Sequence, residues 1–323
     1  MKKVIIVEVA VLVALLLVAL MVSGGQGEKP QPTVPVETTT APTETTVPPV
    51  TTPAIDWMVF PEDRELVAKQ YFVYADGDFA TISGSRTERI YPASVTKLFT
   101  AYVALQYLDE DDTIVVGDAL TMVVPGSSVA GLKKGDSITV GKLVEAMLLP
   151  SGNDAAYALA AEVGRMIAGD NSLHVSLAAQ KFVERMNQIA AEEGMTGTNF
   201  ANPDGIHKDS HYTTPEDLVK MATLALQEEA ILRYAAVSAD PEPFGAGDGR
   251  EGWKNTNALV DKTSVYYCPI AIGLKTGQTP AAGSCLLSAF RYNDTTVIIG
   301  VFGCPKEDDR FQDTLQLLND LLQ

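Results

Sequence analysis

The 323-residue sequence is poor in histidine and cysteine, with three residues of each, and it is poor in positive charge. Its 24 lysine and arginine residues face 41 aspartate and glutamate residues, so the formal net charge is −17 at pH 7. Binding to a phosphate backbone requires a concentrated basic surface. No basic run exceeds pairs such as Lys2-Lys3 and Lys133-Lys134, so the composition argues against a nucleic-acid-binding protein.

The three cysteines lack the short spacing that is typical of a zinc or redox site. They are Cys268, Cys285 and Cys304. Because their number is odd, at least one thiol is free or pairs between molecules. Cys285 and Cys304 fall on neighbouring predicted strands, so a bridge between them is one interpretation. Buried and inert thiols are the favoured interpretation, since cysteine often behaves as a small hydrophobe.

One long apolar run is present, at the N-terminus, where residues 4–22 are interrupted only by Glu8. This length approaches the roughly 20 residues that span a bilayer, although a charge inside the run weakens a stable span. Two lysines precede the run and none follows soon after, which predicts that the rest of the chain is exported. We favour an uncleaved anchor over residues 1–25, with a cleaved signal peptide as the alternative. Both interpretations predict an extracytoplasmic protein attached to, or secreted across, the cytoplasmic membrane.

A proline- and threonine-rich segment follows the apolar run. Residues 28–55 hold seven prolines and nine threonines, with almost nothing that could form a core. Proline fixes φ and donates no backbone hydrogen bond, so such a segment stays extended. We therefore predict a disordered linker over residues 26–55 and one folded domain over residues 56–323.

The order of periodic patterns within residues 56–323 predicts the fold class. Strands are predicted at 71–74, 80–82, 271–275, 284–291 and 296–302, and helices at 94–108, 142–148, 154–167, 173–193, 215–226 and 311–322. Two strands at the start and three at the end, with helices between them, indicate an α/β (α+β) domain. The two groups of strands are expected to meet in one mostly antiparallel five-stranded sheet that is flanked by helices.

Ser94 and Lys97 form a serine-x-x-lysine pair at the start of the predicted helix 94–108. A separation of three residues places the hydroxyl and the amine on one helical face, within reach of each other. A serine hydroxyl is a poor nucleophile without a nearby base. A lysine becomes that base when burial or another cation lowers its pKa. Alone, the pair is more simply interpreted as a solvated helix start.

Ser151, Gly152 and Asn153 lie between two predicted helices. Pro150 and Gly152 predict a turn there, from which both polar side chains could project into a cleft. Ser151 could pass a proton toward a leaving amine, and Asn153 could hold a substrate amide. By itself the tripeptide is a routine turn between helices.

Lys275, Thr276 and Gly277 end a predicted strand, and Thr279 lies just beyond it. A glycine without a side chain lets a peptide substrate lie against the strand and pair with its backbone. Lys275 and Thr276 then offer a charge and a hydroxyl to a terminal carboxylate. This tripeptide alone is also an ordinary strand end, but the three motifs in this order share one mechanism, acyl transfer through a serine.

With these motifs the chain resembles the low-molecular-weight penicillin-binding proteins, specifically the D-alanyl-D-alanine carboxypeptidases, over approximately residues 58–322. Further segments carry the resemblance beyond the motifs: YPASVTK at 91–97, LLPSGNDAA at 148–156, TNF at 198–200, NPDG at 202–205, YTTPEDL at 212–218, NTN at 255–257, GLKTGQT at 273–279 and AGSC at 282–285. The resemblance implies a fold like that of β-lactamases and transpeptidases, with residues 56–323 as the catalytic domain.

The resemblance also implies roles for individual residues. Ser94 would be acylated, Lys97 would be its general base, and Ser151 would complete the proton path. The backbone amides of Ser94 and Gln278 would form the oxyanion hole, and such donors contribute a few kcal/mol. Substrate binding is implied for Asn153, Lys275, Thr276, Gly277, Gln278, Thr279 and Arg310. For Arg310 a surface position is an equally good interpretation.

The implied reaction is removal of the terminal D-alanine from peptidoglycan stem peptides, with β-lactam antibiotics as inhibitors and with no metal or organic cofactor. A peptidoglycan endopeptidase would use the same site and stays open as an alternative. A class A β-lactamase also needs a deacylating glutamate, and Glu184 with Asn187 has the wrong spacing for that loop. A non-catalytic wall-binding protein is the remaining alternative. The histidines, His174, His207 and His211, are predicted to be surface or structural residues.

Some family members continue into a β-rich domain and a C-terminal membrane helix. This sequence ends at Gln323, directly after the predicted last helix of the catalytic fold. We therefore expect the anchor to lie at the N-terminus instead.

Overall fold

The protein is described by a computed structural model that covers residues 65–244 and 250–323. The strands in these ranges are β1 (Gln70–Ala75), β2 (Asp78–Ile82), β3 (Thr113–Val115), β4 (Ser137–Thr139), β5 (Ala239–Asp240), β6 (Trp253–Lys254), β7 (Ala271–Thr279), β8 (Gly283–Tyr292) and β9 (Thr295–Cys304). The α-helices are α1 (Thr96–Leu105), α2 (Val140–Leu148), α3 (Asn153–Ala168), α4 (Val175–Glu192), α5 (Pro215–Gln227), α6 (Glu229–Ala235) and α7 (Glu307–Leu322).

The first two and the last three strands form one five-stranded sheet, in the order β2-β1-β9-β8-β7. Every neighbouring pair in this sheet is antiparallel. Two pairs of short strands, β3 with β4 and β5 with β6, stand apart from it. The predicted fold class, a mostly antiparallel five-stranded sheet flanked by helices, is therefore confirmed.

The sheet separates two apolar clusters, because alternate residues of a strand point to opposite faces. Phe72 of β1 packs in the larger cluster, with residues of α1 to α5 such as Leu98 and Phe99. The neighbouring Val73 packs in the smaller cluster, with Phe311 and other residues of α7. Full burial of one such side chain contributes about 1.5–3 kcal/mol, so the helices on both faces are held mainly by apolar contact.

The two ends of the described chain are joined at β1 and α7. Residues of β1 pair with β9 from Gln70 opposite Phe302 onward. The backbone N–H groups of Val67 and Ala68 donate to the Asp313 carboxylate of α7, at 2.9 and 2.8 Å. The sheet is thus completed only when the last strand is in place, and the last helix fixes the segment that leads into β1.

Two local predictions differ from the structure. No helix was predicted at α6, which is only seven residues long and is separated from α5 by the extended residue Glu228. β7 continues through Thr279, so Lys275, Thr276 and Gly277 lie inside a strand and do not end it. Gly277 does not mark a strand end; it lies where the backbone of residues 92–94 approaches β7 closely.

All three cysteines are free and buried, so the bridge between Cys285 and Cys304 does not form. Although β8 and β9 are neighbours, Cys285 packs in the larger apolar cluster and Cys304 in the smaller one, on the other side of the sheet. The shift in register of β8 against β9, between Ser284 and Leu286, accompanies this difference.

We expect the native protein to resist thiol reagents. Burial raises the pKa of Cys268 to about 12 and that of Cys285 to about 11, and it also raises the pKa of Cys304. The reactive species is the thiolate, so reaction near neutral pH requires unfolding. A disulfide-based chromogenic reagent should detect three thiols in denaturant and essentially none in the folded protein. Rapid labelling of the folded protein would contradict this expectation.

The predicted anchor over residues 1–25 and the predicted linker over residues 26–55 lie outside the described residues, so the domain boundaries stay predictions. Within residues 65–244 and 250–323, none of the helices combines the length and the apolar character that crossing a bilayer requires.

Candidate active site

Ser94 lies in a short 3-10 turn, Ala93–Val95, that leads directly into α1. Ala93 adopts a left-handed backbone with φ of 49°, which costs an L-residue roughly 1 kcal/mol or more. The turn leaves Ser94 half-buried, while Lys97 on the first turn of α1 is fully buried. The Lys97 ammonium Nζ lies 2.9 Å from the Ser94 hydroxyl Oγ. The predicted pairing of nucleophile and base on one helical face is thus present as a hydrogen bond.

Lys97 is held in an environment that favours its neutral form. Burial lowers its pKa to about 8, although the negative charges of Asp204 and Asp154 oppose that shift. Its Nζ also donates to the backbone carbonyl of Asp204, at 2.6 Å. A lysine with this pKa is partly unprotonated near neutral pH and can accept a proton from Ser94.

The turn at Ser151 places two polar side chains opposite Ser94. Pro150 and Gly152 predicted a turn, but the left-handed residue is Ser151 itself, with φ of 64°. Gly152 is required for another reason, because a Cβ there would stand 2.6 Å from the carbonyl of Ala146. Asn153 is the first residue of α3, and its side-chain oxygen is buried without a hydrogen-bond partner among the described residues.

Asp154 fixes the wall of the cleft beside this turn. Its buried carboxylate accepts backbone hydrogen bonds from Ala130, Gly131 and Leu132, at 2.8, 2.9 and 3.0 Å. The backbone N–H of Asn153 donates to the carbonyl of Ser128, at 2.9 Å. The segment around residue 128 is therefore tied to the Ser151 turn.

Lys275, Thr276 and Gly277 lie on β7, an edge strand of the sheet. This strand faces the turn at Ala93–Val95 that carries the predicted nucleophile, which we call the nucleophile turn. A Cβ on Gly277 would lie 3.0 Å from both the carbonyl of Pro92 and the backbone nitrogen of Ser94. The absence of a side chain at Gly277 thus lets β7 approach the nucleophile turn. This is a second reason for glycine at this position, besides the predicted space for a substrate. The close approach also brings the two segments that carry the predicted oxyanion-hole amides, at Ser94 and Gln278, next to each other.

Lys275 is buried, and its side chain reaches two hydroxyls. Its Nζ lies 3.5 Å from the Oγ atoms of both Thr256 and Thr276, which are 2.6 Å from each other. Burial lowers the pKa of Lys275 well below its usual value, and the positive charges of Lys97 and Arg310 lower it further. An anion bound beside Lys275 would raise its pKa again and so favour its charged form. The arrangement therefore favours binding of a carboxylate.

Arg310 is not a surface residue: only 6% of it is exposed. It begins the buried face of α7, and its Nη1 donates to the carbonyl of Gly277, at 3.4 Å. Burial lowers its pKa, while the nearby Glu307 opposes that shift. Its Nε is buried without a hydrogen-bond partner among the described residues. Arg310 therefore places a guanidinium group on the Lys275 side of the cleft.

One cleft of about 920 Å³ brings most of these residues together. It is lined by Ser94, Ser151, Asn153, Thr276, Gly277, Gln278, Thr279 and Arg310 from the predicted set. Lys97 and Lys275 lie fully buried behind this lining and reach it through their hydrogen bonds to Ser94, Thr256 and Thr276. All ten predicted residues thus belong to the cleft or to its immediate support.

Other residues of the cleft were not predicted. They include Thr256, Ser284 and the segment 124–128. Ser284 Oγ is buried without a hydrogen-bond partner among the described residues, as are the polar atoms of Asn153 and Arg310 noted above. Thr256 and Ser284 fall within the NTN and AGSC segments that carry the family resemblance, which is a signal that could have identified them.

The residues of the alternative interpretations lie elsewhere. Glu184 is on α4 and lines a separate hollow of about 300 Å³, not the cleft. His174 accepts a hydrogen bond from the backbone of Ser176 at the start of α4, and His207 packs edge-on against Tyr91. His211 is buried beneath the nucleophile turn. None of the three histidines lines the cleft.

Comparisons with known proteins agree with this geometry. Residues 65–306 match the family model "Peptidase_S11: D-alanyl-D-alanine carboxypeptidase". A D-alanyl-D-alanine carboxypeptidase of Streptomyces sp. (strain K15) is 33% identical over 234 residues, which cover 70% of this chain and 77% of that protein. The carboxypeptidase DacF of Bacillus subtilis is 29% identical over 72% of this chain, but the match spans only 56% of that relative's length.

A solved structure supports the fold directly. The crystal structure of the Streptomyces K15 DD-transpeptidase superposes with a TM-score of 0.71 at 30% identity, and the match covers 79% of this chain and 97% of that one. Fold, family model and relatives therefore lead to one assignment. The chain belongs to the peptidase S11 family of serine D-alanyl-D-alanine carboxypeptidases.

Proposed function

We propose that this protein removes the terminal D-alanine from peptidoglycan stem pentapeptides through an acyl-enzyme on Ser94, and that β-lactams acylate the same residue. The observation that carries the proposal is the 2.9 Å contact between Ser94 Oγ and the buried Lys97 Nζ, in a cleft with cations on one side. A nucleophile with its base and a site for a terminal carboxylate are what this reaction requires.

In the acylation step, the Ser94 oxygen forms a bond to the carbonyl carbon between the last two D-alanines, and Lys97 accepts the serine proton. The backbone N–H groups of Ser94 and Gln278 stabilise the negative charge that develops on the carbonyl oxygen. The carbon–nitrogen bond then breaks, and a proton delivered through Ser151 allows D-alanine to leave as the free amine. Water attacks the ester in the second step and regenerates Ser94.

The residues of the cleft on β7 and α7 are assigned to orienting the substrate. Thr276, Arg310 and the buried Lys275 hold the terminal carboxylate: Arg310 supplies a positive charge, Thr276 supplies a hydroxyl, and the bound anion favours the protonated form of Lys275. The unpaired side-chain oxygen of Asn153 accepts a hydrogen bond from a substrate amide. The edge strand β7 offers its backbone to the extended peptide, with Gly277 to Thr279 alongside it.

The test uses the full-length chain in detergent, with labelled penicillin and with a pentapeptide that ends in D-Ala-D-Ala. We expect a long-lived adduct that maps by mass spectrometry to the peptide containing Ser94, and release of D-alanine from the pentapeptide. Rapid turnover of penicillin would favour a β-lactamase. Cleavage of cross-linked stem-peptide dimers without cleavage of the pentapeptide would favour an endopeptidase. Absence of any adduct would favour a non-catalytic wall-binding protein.

A transpeptidase is a second candidate, because the solved relative from Streptomyces K15 is described as a DD-transpeptidase. Such an enzyme passes the acyl group to an amine acceptor instead of water. Addition of a D-amino acid acceptor to the pentapeptide assay distinguishes the two activities. A carboxypeptidase yields mainly the shortened peptide, whereas a transpeptidase yields mainly the exchanged product.

We further propose that the catalytic domain works outside the cytoplasmic membrane, where peptidoglycan is found. The apolar run over residues 4–22 and the proline-threonine segment after it support this placement. Protease added to intact spheroplasts should degrade the catalytic domain if the placement is correct. Protection until the membrane is permeabilised would contradict it.

The rate of acylation should rise with pH up to about pH 8 and level off above it. Lys97 has a pKa of about 8 in the folded protein, and only its neutral amine can accept the Ser94 proton. Each pH unit below that value lowers the neutral fraction about tenfold. The measurement is the second-order rate constant of penicillin acylation at a series of pH values. A rate that is independent of pH below neutrality would be inconsistent with Lys97 as the base.

A further inference from the structure

His211 is a buried, polar residue that the mechanism above does not use. Only 2% of it is exposed, and its ring lies edge-on to Phe200, with 5.8 Å between ring centres. Both ring nitrogens have partners: Nδ1 lies 3.0 Å from the backbone nitrogen of Ala201, and Nε2 lies 2.8 Å from the hydroxyl of Thr96. The imidazole thus connects the loop before Asp204 with the first turn of α1.

The hydrogen bonds determine which nitrogen carries the proton. The backbone N–H of Ala201 can only donate, so Nδ1 accepts and the single proton of a neutral imidazole resides on Nε2. Nε2 therefore donates to the Thr96 hydroxyl, which in turn donates to the carbonyl of Ala93, at 2.8 Å. Burial lowers the pKa of His211 to about 3, and the charges of Lys208, His207 and Lys97 lower it further, so the ring stays neutral near pH 7.

This series of hydrogen bonds, from His211 through Thr96, ends at Ala93, the residue before Ser94. Ala93 has the left-handed φ of 49°, and its carbonyl position determines where Ser94 points. On the other side of the ring, Nδ1 accepts the backbone hydrogen bond of Ala201, in the segment that continues to Asp204. The carbonyl oxygen of Asp204 accepts a hydrogen bond from Lys97 Nζ, at 2.6 Å. His211 thereby contacts both the turn that aims the nucleophile and the loop that holds the base.

The segment that carries His211 is itself fixed by backbone pairing. Tyr212 exchanges two backbone hydrogen bonds with Asn199, and Thr213 exchanges two with Ile90, which lies just before the nucleophile turn. These bridges fix the backbone from which the His211 side chain projects, and the bonds to Ala201 and Thr96 fix the ring itself.

We propose that His211 is a positioning residue for the proposed acylation: through the Thr96 hydroxyl it holds the Ala93 turn in the conformation that places Ser94 Oγ within hydrogen-bond distance of Lys97 Nζ. His211 touches neither the substrate nor the reacting atoms. Its loss should lower the rate of acylation without a matching loss of substrate affinity. Misplacement of a reacting group by about 1 Å can lower a rate by about 100-fold.

Two variants of similar size separate the two hydrogen bonds. His211→Gln can keep a donor near the Nε2 position and so keep the link to Thr96, while it gives up the acceptor for Ala201. His211→Asn can keep the acceptor for Ala201 and gives up the donor for Thr96. We expect His211→Asn to lower kcat and the acylation constant by about 10- to 100-fold, with KM changed less than threefold, and His211→Gln to retain most of the activity. Equal losses in both variants, or wild-type activity of His211→Asn, would overturn the inference.

Thr96→Val removes the hydroxyl that links His211 to the carbonyl of Ala93 and keeps the shape of the buried side chain. It should reproduce the loss of His211→Asn, and the double variant should lose no more than either single variant, because both remove one shared link. Full activity of Thr96→Val, or additive losses in the double variant, would refute the link. Melting temperatures show whether a loss of activity merely follows a loss of folding, and Thr96→Val provides the test if His211→Asn does not fold.

Because this inference rests on the proposed function, a readout without substrate completes the test. In a crystal structure of Thr96→Val we expect the distance between Ser94 Oγ and Lys97 Nζ to exceed 3.5 Å on average, as in a broken hydrogen bond. An unchanged Ala93 turn would overturn the positioning role. A wild-type protein that neither binds penicillin covalently nor releases D-alanine would instead overturn the proposed function, and the crystal structure would still decide the role of His211.

Discussion

Replacement of Lys97 by methionine should lower the rate of penicillin acylation by about 1,000-fold or more while the protein stays folded. Methionine matches the length and volume of the buried lysine side chain but offers no amine to accept the Ser94 proton. The folded state should not suffer, because burial of the amine lowers its pKa and so disfavours its charged form. Ser94→Ala should remove the adduct altogether, since no nucleophile remains.

The measurement pairs the second-order acylation constant with a thermal melting curve. Lys181→Met is a suitable control, because Lys181 lies exposed on α4 and pairs with Glu184, away from the cleft. Unchanged acylation in the control and a loss in Lys97→Met would identify the base. If Lys97→Met kept more than about a tenth of the wild-type rate, the general base would have to be another group, with Lys275 as the first candidate.

Gly205→Ala should both destabilise the protein and inactivate it. Gly205 has φ of +86°, and a Cβ there would stand 1.9 Å from the carbonyl oxygen of Ala93 and 2.9 Å from the backbone nitrogen of Ser94. Those atoms belong to the nucleophile turn, so they cannot yield without moving Ser94. We expect the free energy of unfolding to fall by more than about 3 kcal/mol, which is a large part of a typical total.

Gly77→Ala provides a matched control, because Gly77 has the same φ of +86° but no atom within 4 Å of an added Cβ. It lies in the turn between β1 and β2, and its substitution should cost only the backbone strain, about 1 kcal/mol. Denaturant titration gives the free energy of unfolding of both variants. The difference between their losses is the energetic cost of the steric clash between the Cβ added at Gly205 and the Ala93 carbonyl. Similar costs for the two variants would show that the contact with Ala93 relaxes freely and that the nucleophile turn is not held by the 205 loop.

Most of the fold follows from local patterns in the sequence. Within residues 65–244 and 250–323, the five strands of the main sheet and six of the seven α-helices show clear periodicity, because each presents one apolar face to a core. α6 escaped prediction because a seven-residue helix shows too few turns for a pattern. The positions of Cys285 and Cys304 on opposite faces could not be predicted, since β9 carries one extra residue between Val301 and Cys304 relative to β8, and this moves the Cys304 side chain to the other face.

The candidate site was predictable to the extent that its chemistry lies in short motifs. Ser94 with Lys97 owes its geometry to a single helical turn, which spacing alone describes. The NTN segment singles out Thr256, but its contact with Thr276 on another segment is not visible in any local pattern. The burial of Arg310 likewise depends on where α7 packs against the sheet. Tertiary packing, not local propensity, decides these positions.

The pairing of the first strand with the last also bears on how the protein acquires activity during synthesis. Asp313 receives hydrogen bonds from a residue 246 positions earlier, and β9 must join β1 before the sheet is whole. Contacts between such distant parts of a chain form slowly, because the intervening loop must close first. Lys275 and Arg310 also emerge from the ribosome long after Ser94. Under the proposed function, a nascent chain therefore holds Ser94 and Lys97 without a completed cleft, and we expect acylation to begin only when the last helix has docked.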